Sequence, residues 1–187
     1  MEEFLYELRI PKERVPVLIG KDGEVKRRIE EDTHSRMEID SKEGDVFLRG
    51  SEAIPLFTAR EIVMAIGRGF SPGNALLLLK TDYIFEIINL RDYSGKSKNT
   101  MERLKGRVIG KDGKARRTIE DLSEAAITVF GKTIGIIADA EGASMARYAI
   151  ESLLQGSTHA NVYKWLETKR RQLKRAELLT ESFSKSI

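Results

Sequence analysis

The sequence predicts an α+β protein: two tandem β-α-α-β-β-α units, each a three-stranded sheet packed on helices, followed by an extra C-terminal helix. Three observations carry this. The pentapeptide Ile-Gly-Lys-Asp-Gly occurs at 19–23 and again at 109–113, an offset of 90 residues. The match continues downstream: Lys26-Arg27 corresponds to Arg116-Arg117, Ile29-Glu30 to Ile119-Glu120, and Ile39 to Val129. Around both copies the apolar residues switch from a period of two to helical spacing and back. With 15 glycines in 187 residues, two glycines three apart arise about once by chance, so one such motif is weak. An identical pentapeptide with matched flanks is a duplication.

In the first unit Phe4, Tyr6, Leu8 and Ile10 alternate with polar residues, predicting a strand with one buried face. Val15–Ile19 is a short apolar turn closing on the glycine loop. Glu24–Thr33 is predicted helical, with Val25 and Ile29 on one face and Lys26, Arg27 and Arg28 off it. Met37–Ile39 and Asp45–Arg49 are short strands. Glu52–Ile66 is an amphipathic helix with Ser51 as its expected cap, ended by Gly67 and Gly69, and Pro55 near its first turn, where a missing N–H is tolerated. Ser71-Pro72 starts a short helix leading into the apolar run Ala75–Leu79.

The second unit repeats this order. Tyr83–Tyr93 is a predicted strand and Thr100–Ile109 a helix that closes on the second loop. Lys114–Glu124 is a helix with Ala115, Ile119 and Leu122 on one face. Ala126–Phe130 and Thr133–Ala138 are strands joined near Gly131, and Ala143–Leu154 is a helix. The expected organisation is therefore 1–80 for the first unit with its linker helix, 81–158 for the second, and 159–187 for a basic helix and tail, helical from His159 to about Thr180.

Composition bounds the chemistry. Hydrophobic residues are 41% and charged residues 33% of the chain, which permits a packed core. The absence of cysteine removes disulfides, zinc-thiolate sites and thiol nucleophiles together, and two histidines, His34 and His159, are too few for a histidine-based metal site. Neither is assigned any chemistry. The N-terminal stretch is acidic without a signal-peptide core, and the longest strongly apolar run, Ala75–Leu79, is far too short to span a bilayer, so a soluble cytoplasmic protein is expected. A phosphate-binding NTPase loop fails on spacing: Gly95-Lys96-Ser97 would need Gly at 90, where Leu90 stands, and Gly106 precedes Gly110 by four positions rather than five, with Asp112 in place of the magnesium-binding hydroxyl. Acids are interspersed with Lys and Arg rather than gathered, so no enzymatic activity and no cofactor are expected.

The net charge is only +3, so the placement of charge matters more than its sum. A glycine-bounded loop between two helices lets a phosphate backbone approach closely, because neither glycine carries a Cβ. The helix that follows presents free N–H groups to an anion. Lys21 and Lys111 add a cation at each loop tip, and neighbouring aliphatics form a groove for unpaired bases. The residues expected to bind RNA are Gly20, Lys21, Asp22, Gly23, Lys26 and Arg27 in the first unit. In the second they are Arg107, Ile109, Gly110, Lys111, Asp112, Gly113, Lys114, Arg116, Arg117 and Val129.

On these residues both halves resemble type I K-homology (KH) domains, in which a GXXG loop clamps about four nucleotides of single-stranded RNA. More narrowly, Gly106–Lys114, Arg116–Glu120, Ile127–Gly131 and Gly156–Lys164 resemble archaeal two-KH relatives of the eukaryotic pre-ribosomal KH protein that partners the small-subunit rRNA 3′-end endonuclease. The resemblance covers nearly the whole chain and is strongest from Gly106 to Lys164. It implies a role in small-subunit rRNA processing and ribosome biogenesis near the rRNA 3′ end, as a chaperone or adaptor rather than a nuclease, with the endonuclease as a partner. Eukaryotic relatives have a degenerate first loop. Here Gly20-Lys21-Asp22-Gly23 is intact, which leaves the division of labour between the domains open. The alternatives are a KH-fold protein scaffold without RNA contact, and a KH protein of transcription or RNA decay. The strand order speaks against the latter.

Arg103–Arg117 holds seven cations against one acid, Asp112, whereas Lys12–Arg28 holds six against three, with Glu24 where the second unit has Lys114. The second loop is therefore expected to contribute more affinity and more salt dependence. The tail cations Lys164, Lys169, Arg170, Arg171, Lys174 and Arg175 fit either a solvated helix face or an extension of the RNA surface. Trp165 is expected to pack on the second unit through Tyr163 or Leu166 rather than to stack on bases.

Overall fold

The structure, a computed structural model, describes residues 3–184. The tail beyond Ser184, included in the predicted 159–187 segment, lies outside the described residues. The described chain divides into two compact units. One comprises the residues up to Ile88 with Ala126–Ala138, the other Asn89–Ala125 with the chain from Asp139 onward. These lines differ from the repeat boundary near residue 80: one division follows duplication, the other follows packing.

In the first unit, strands β1 (Phe4–Arg9), β2 (Arg36–Asp40) and β3 (Asp45–Gly50) form an antiparallel sheet in the order β1-β3-β2. The register pairs Leu8 with Val46 and Met37 with Leu48, so period-two alternation puts all four side chains into the core. Phe4, expected on the buried face, is 46% exposed at the strand end. Gly44 closes the β2–β3 turn at φ +82°, and a Cβ there would stand 2.4 Å from the Ile10 carbonyl oxygen. Helix α1 (Val15–Ile19) and helix α2 (Glu24–Asp32) flank the first glycine loop. Helix α3 (Ala53–Gly67) buries Leu56, Ala59, Ile62, Val63 and Ile66. Glu52, not Ser51, occupies its N-cap, and no side chain caps it; Gly67 is the last helical residue rather than a stop, because its missing Cβ admits Ile10 Cγ2, 2.7 Å from where a Cβ would lie.

Ser71 caps helix α4 (Pro72–Ala75) as expected, its hydroxyl accepting from the Asn74 N–H, and a 3₁₀ turn over Leu76–Leu79 follows. Strands β4 (Tyr83–Asn89), β5 (Ala126–Phe130) and β6 (Thr133–Asp139) form a second sheet in the order β4-β6-β5. The predicted strand to Tyr93 stops at Asn89, whose Oδ1 accepts from the Arg91 N–H and starts helix α5 (Arg91–Ser94). β6, the central strand of this sheet, is buried at six successive positions, Thr133–Ala138. The linker locks this sheet to the first unit. The Phe70 ring lies where a Cβ on Gly135 would be, 2.7 Å from Cε2, and meets Phe85 edge-on at 5.9 Å. Gly69 sits against Phe130 and Thr128. Ile137 thereby joins the same hydrophobic core as Leu18, Ile29 and Ile66.

The second unit is helical. Ser97 caps helix α6 (Lys98–Ile109), accepting from the Thr100 N–H at 3.2 Å. Helix α7 (Lys114–Ser123) follows the second loop. Helix α8 (Ala140–Leu154) is capped by Asp139, which accepts from the Gly142 N–H at 2.7 Å. Helix α9 (His159–Ser184) runs past the predicted end near Thr180. Helix α8 carries small residues, Ala143, Ala146 and Ala149, on its buried face, and α6, α7 and α9 pack on it. Val162 and Leu166 anchor α9. Trp165 is half-buried and packs on the second repeat as expected, but its partner is Tyr148 of α8, stacked at 4.0 Å.

Candidate nucleic-acid interface

The two loops have the same backbone. Gly20 and Gly110 have φ/ψ of 74°/177° and 71°/176°; Asp22 and Asp112, 51°/24° and 53°/28°; Gly23 and Gly113, 77°/14° and 74°/11°. The first glycine is required twice over. Its dihedrals lie in a region only glycine populates, and a Cβ would fall 2.5 Å from Val25 Cγ2 in the first loop or 2.6 Å from Ala115 Cβ in the second. The second glycine is left-handed but nearly open, its hypothetical Cβ being 3.5 Å from Arg27 and 3.9 Å from Arg117 guanidinium nitrogens. The first glycine lets the helices pack; the second leaves a bare stretch of backbone facing outward. Asp22 and Asp112 accept positive φ as aspartate does in a turn.

Each loop is pinned from below, by Gly20 N–H to the Pro16 carbonyl and Gly110 N–H to the Gly106 carbonyl. Lys21, Asp22, Lys111, Asp112 and Lys114 are exposed. Glu24 and Lys114 open α2 and α7, and their own N–H groups donate back to the Lys21 and Lys111 carbonyls, closing each loop onto the helix that follows. In the first unit this helix start carries a carboxylate; in the second it carries an ammonium.

The remaining predicted site residues sort by what they already touch. Lys26 stands 4.0 Å from Glu30, and Arg116 Nε 3.7 Å from Glu120. Arg117 folds back and donates to the Asp112 carbonyl, stiffening the loop it was expected to extend. Ile109 is half-buried at the loop's edge, and Val129 is half-buried on β5, with the strands of the other compact unit. Arg107 is turned inward: Nε donates to the Leu153 carbonyl at 3.0 Å and Nη2 to that of Ser157 at 2.6 Å. Its guanidinium is committed to the C-terminus of α8, where cations satisfy the free carbonyls.

Arg14 does the same in the first unit, donating from Nε to Ile66 O at 2.8 Å and from Nη2 to Phe70 O at 2.5 Å. Ile66 and Leu153 are the penultimate residues of their helices, and Phe70 and Ser157 each follow four residues later. Burial lowers the Arg14 pKa from its usual value, with neighbouring Glu13 opposing. Arg14 also lies 5.9 Å from the Phe130 ring centroid. Both arginines brace the segment that holds the loop. Sequence reading missed the pair because they do not occupy equivalent positions of the repeat: the match of Arg107 is Val17. His159, given no chemistry from sequence, joins the second brace, its Nε2 lying 2.7 Å from the Arg107 carbonyl oxygen. Among the described residues no three His, Asp or Glu side chains gather as a metal group, and no helix is long and apolar enough to cross a membrane.

A family model described as "KH domain" matches residues 5–65, and one described as "Eukaryotic type KH-domain (KH-domain type I)" matches 84–171. A KH domain-containing protein of Methanocaldococcus jannaschii is 47% identical over 173 residues, covering 90% of this chain and 75% of that one. The pre-rRNA-processing protein PNO1 of Chaetomium thermophilum is 35% identical over 107 residues, 55% of this chain and 40% of that one. Among solved structures, a chain of the a/eIF2alpha–aDim2p–rRNA complex from Pyrococcus horikoshii superposes with a TM-score of 0.85 at 40% identity, covering 91% of this chain and 96% of that one.

Proposed function

The chain belongs to the KH-domain family, with two KH domains in tandem, and on that basis we propose that it binds single-stranded RNA from the 3′ region of small-subunit rRNA during ribosome biogenesis. One observation carries the RNA reading: two loops with the same dihedrals, each holding an exposed lysine between its two glycines and ending in a glycine with nearly open space above it. Phosphates lie against the bare backbone at Gly23 and Gly113, at the positive end of the helix that follows, with Lys21 and Lys111 as mobile counter-charges. The rRNA relatives support the ribosomal assignment.

In this reading the protein is an adaptor without catalysis of its own, acting in the cytoplasm alongside the endonuclease that cuts the rRNA 3′ end. Each repeat, 1–80 and 81–158, acts as one RNA-binding module. The second contributes more, because Lys114 stands where the first domain has Glu24. Lys26 and Arg116 serve from within their ion pairs, while Arg107 acts through the brace.

The test is fluorescence anisotropy with an RNA matching the host small-subunit 3′ end, a scrambled strand and a duplex. Wild type is compared with Lys111→Asp, which reverses the loop-tip charge while sparing both glycines. Preference for the matching single strand, lost in the variant, is expected. Equal binding by variant and wild type would move the site away from the second loop. No binding by wild type would leave a protein scaffold as the function.

A further inference from the structure

Helix α9 begins beside the second loop and then follows α7. His159 meets the Arg107 carbonyl three residues before Gly110. Further along, the Tyr163 hydroxyl comes close to the Thr118 side chain of α7, and Arg170 lies 3.6 Å from Glu124 just past the end of α7. The two helices therefore run side by side in the same direction away from the loop. Tyr163 and Arg170, seven residues apart, mark the edge of α9 that faces α7.

One step around the helix from that edge, Lys164, Arg171 and Arg175 recur at spacings of seven and four, which puts them on one face. All three are exposed, as is Lys174. Among the described residues no carboxylate pairs with Lys164, Lys174 or Arg175, and Arg171 makes only a hydrogen bond to the Glu167 carbonyl. Over residues 159–176 there are six cations and one acid, Glu167, so the face is not a mixed, self-neutralising helix surface. Arg170, Arg171, Lys174 and Glu167 also wall a shallow hollow of about 500 Å³ floored by Leu122 of α7.

We propose that this stripe is a second RNA contact, a track along which a single strand leaving the second glycine loop lays its phosphates. The inference rests on the RNA-binding reading above and adds a surface that the loop does not supply. A polyanion is the occupant that the charge selects, and the continuity with the loop selects the same strand rather than a separate ligand. From His159 to Lys174 the helix rises about 22 Å. The track therefore extends well beyond the ~4 nucleotides that the loop itself clamps. The apolar floor at Leu122 gives an unstacked base a place to rest between phosphate contacts. Arg170 is the member of the tail already committed, to Glu124, and serves to hold α9 in place.

The test uses the full chain with Lys164→Gln, Arg171→Gln and Arg175→Gln combined. These are solvent-facing changes that leave the glycine loop, Tyr163 and Arg170 intact; circular dichroism confirms an unchanged fold. Binding of an RNA tetramer and of a strand roughly three times longer is measured across a salt series. For single strands the slope of log K against log salt is about 0.7 per phosphate contact, so three lost contacts lower the slope by about 2 for the long strand. The tetramer should be unaffected, and the advantage of length seen in wild type should vanish. Equal slopes for variant and wild type on the long strand would overturn the track and leave the stripe to a protein partner or to solvent. An equal loss on the tetramer would also overturn it, as a general charge effect. If wild type binds neither RNA, the RNA-binding reading itself fails.

Discussion

Replacing Gly110 and Gly113 one at a time by Ala separates a glycine needed for folding from one needed for contact. At Gly110 the φ/ψ of 71°/176° falls where residues with a Cβ almost never go, a strain of about 1–3 kcal/mol. The new methyl would also stand 2.6 Å from Ala115 Cβ and 2.7 Å from its backbone nitrogen. Relief requires α7 to shift against α6, and overpacking of this kind costs about 1–3 kcal/mol more. At Gly113 the conformation is ordinary left-handed helix, 74°/11°, costing about 1–2 kcal/mol, and the nearest atoms are Arg117 guanidinium nitrogens at an ordinary contact distance of 3.9 Å. Gly110→Ala is therefore expected to lose roughly 2–6 kcal/mol and Gly113→Ala about 1–2. Urea unfolding followed by Trp165 fluorescence reads this directly. Trp165 is the sole tryptophan and sits on α9, which packs against α7 and α8. RNA affinity measured well below the unfolding range should show the reverse order, with Gly113→Ala impaired while folded. Equal destabilisation by the two variants would refute the assignment of steric necessity to the first glycine.

Arg107→Met should destabilise the same unit by about 1–3 kcal/mol, because two backbone carbonyls at the end of α8 lose a charged donor, while the salt slope of RNA binding stays unchanged; a reduced slope would mean that Arg107 touches phosphate after all. Glu61 titrates above the usual carboxylate range because burial outweighs the help of Arg60. The folded state thus holds that proton to higher pH than the unfolded chain does, so stability falls as pH rises through the interval between the two values, and the cost persists at pH 7. Glu61→Gln should raise the melting temperature at pH 7, with the gain vanishing below pH 4, and a gain independent of pH would show that the charge is not its source.

The amino-acid sequence by itself determined the duplication, the loop chemistry and most elements, because these rest on local rules. Gly20 and Gly110 announce backbone that other residues avoid, and Ser71 caps the helix that follows it. The alternation around Leu8 and Val46 needs only a period of two. Where local rules competed, sequence reading slipped: Ser51 looked like a cap beside Glu52, and the run to Tyr93 looked extended until the Asn89 side chain turned it. Tertiary structure alone decided the rest. That Arg107 braces α8 instead of facing solvent depends on residues about 50 positions away, as does the equivalent grip of Arg14 on Ile66 and Phe70. The second sheet joins the first unit because the Phe70 ring fills the space left by Gly135, a fit between a linker and a strand that no spacing encodes. The course of α9 along α7 turns a basic run of no fixed meaning into a directed stripe. Charge and period are properties of a segment, whereas a hydrogen bond to a particular carbonyl or the filling of a particular void exists only once distant segments meet.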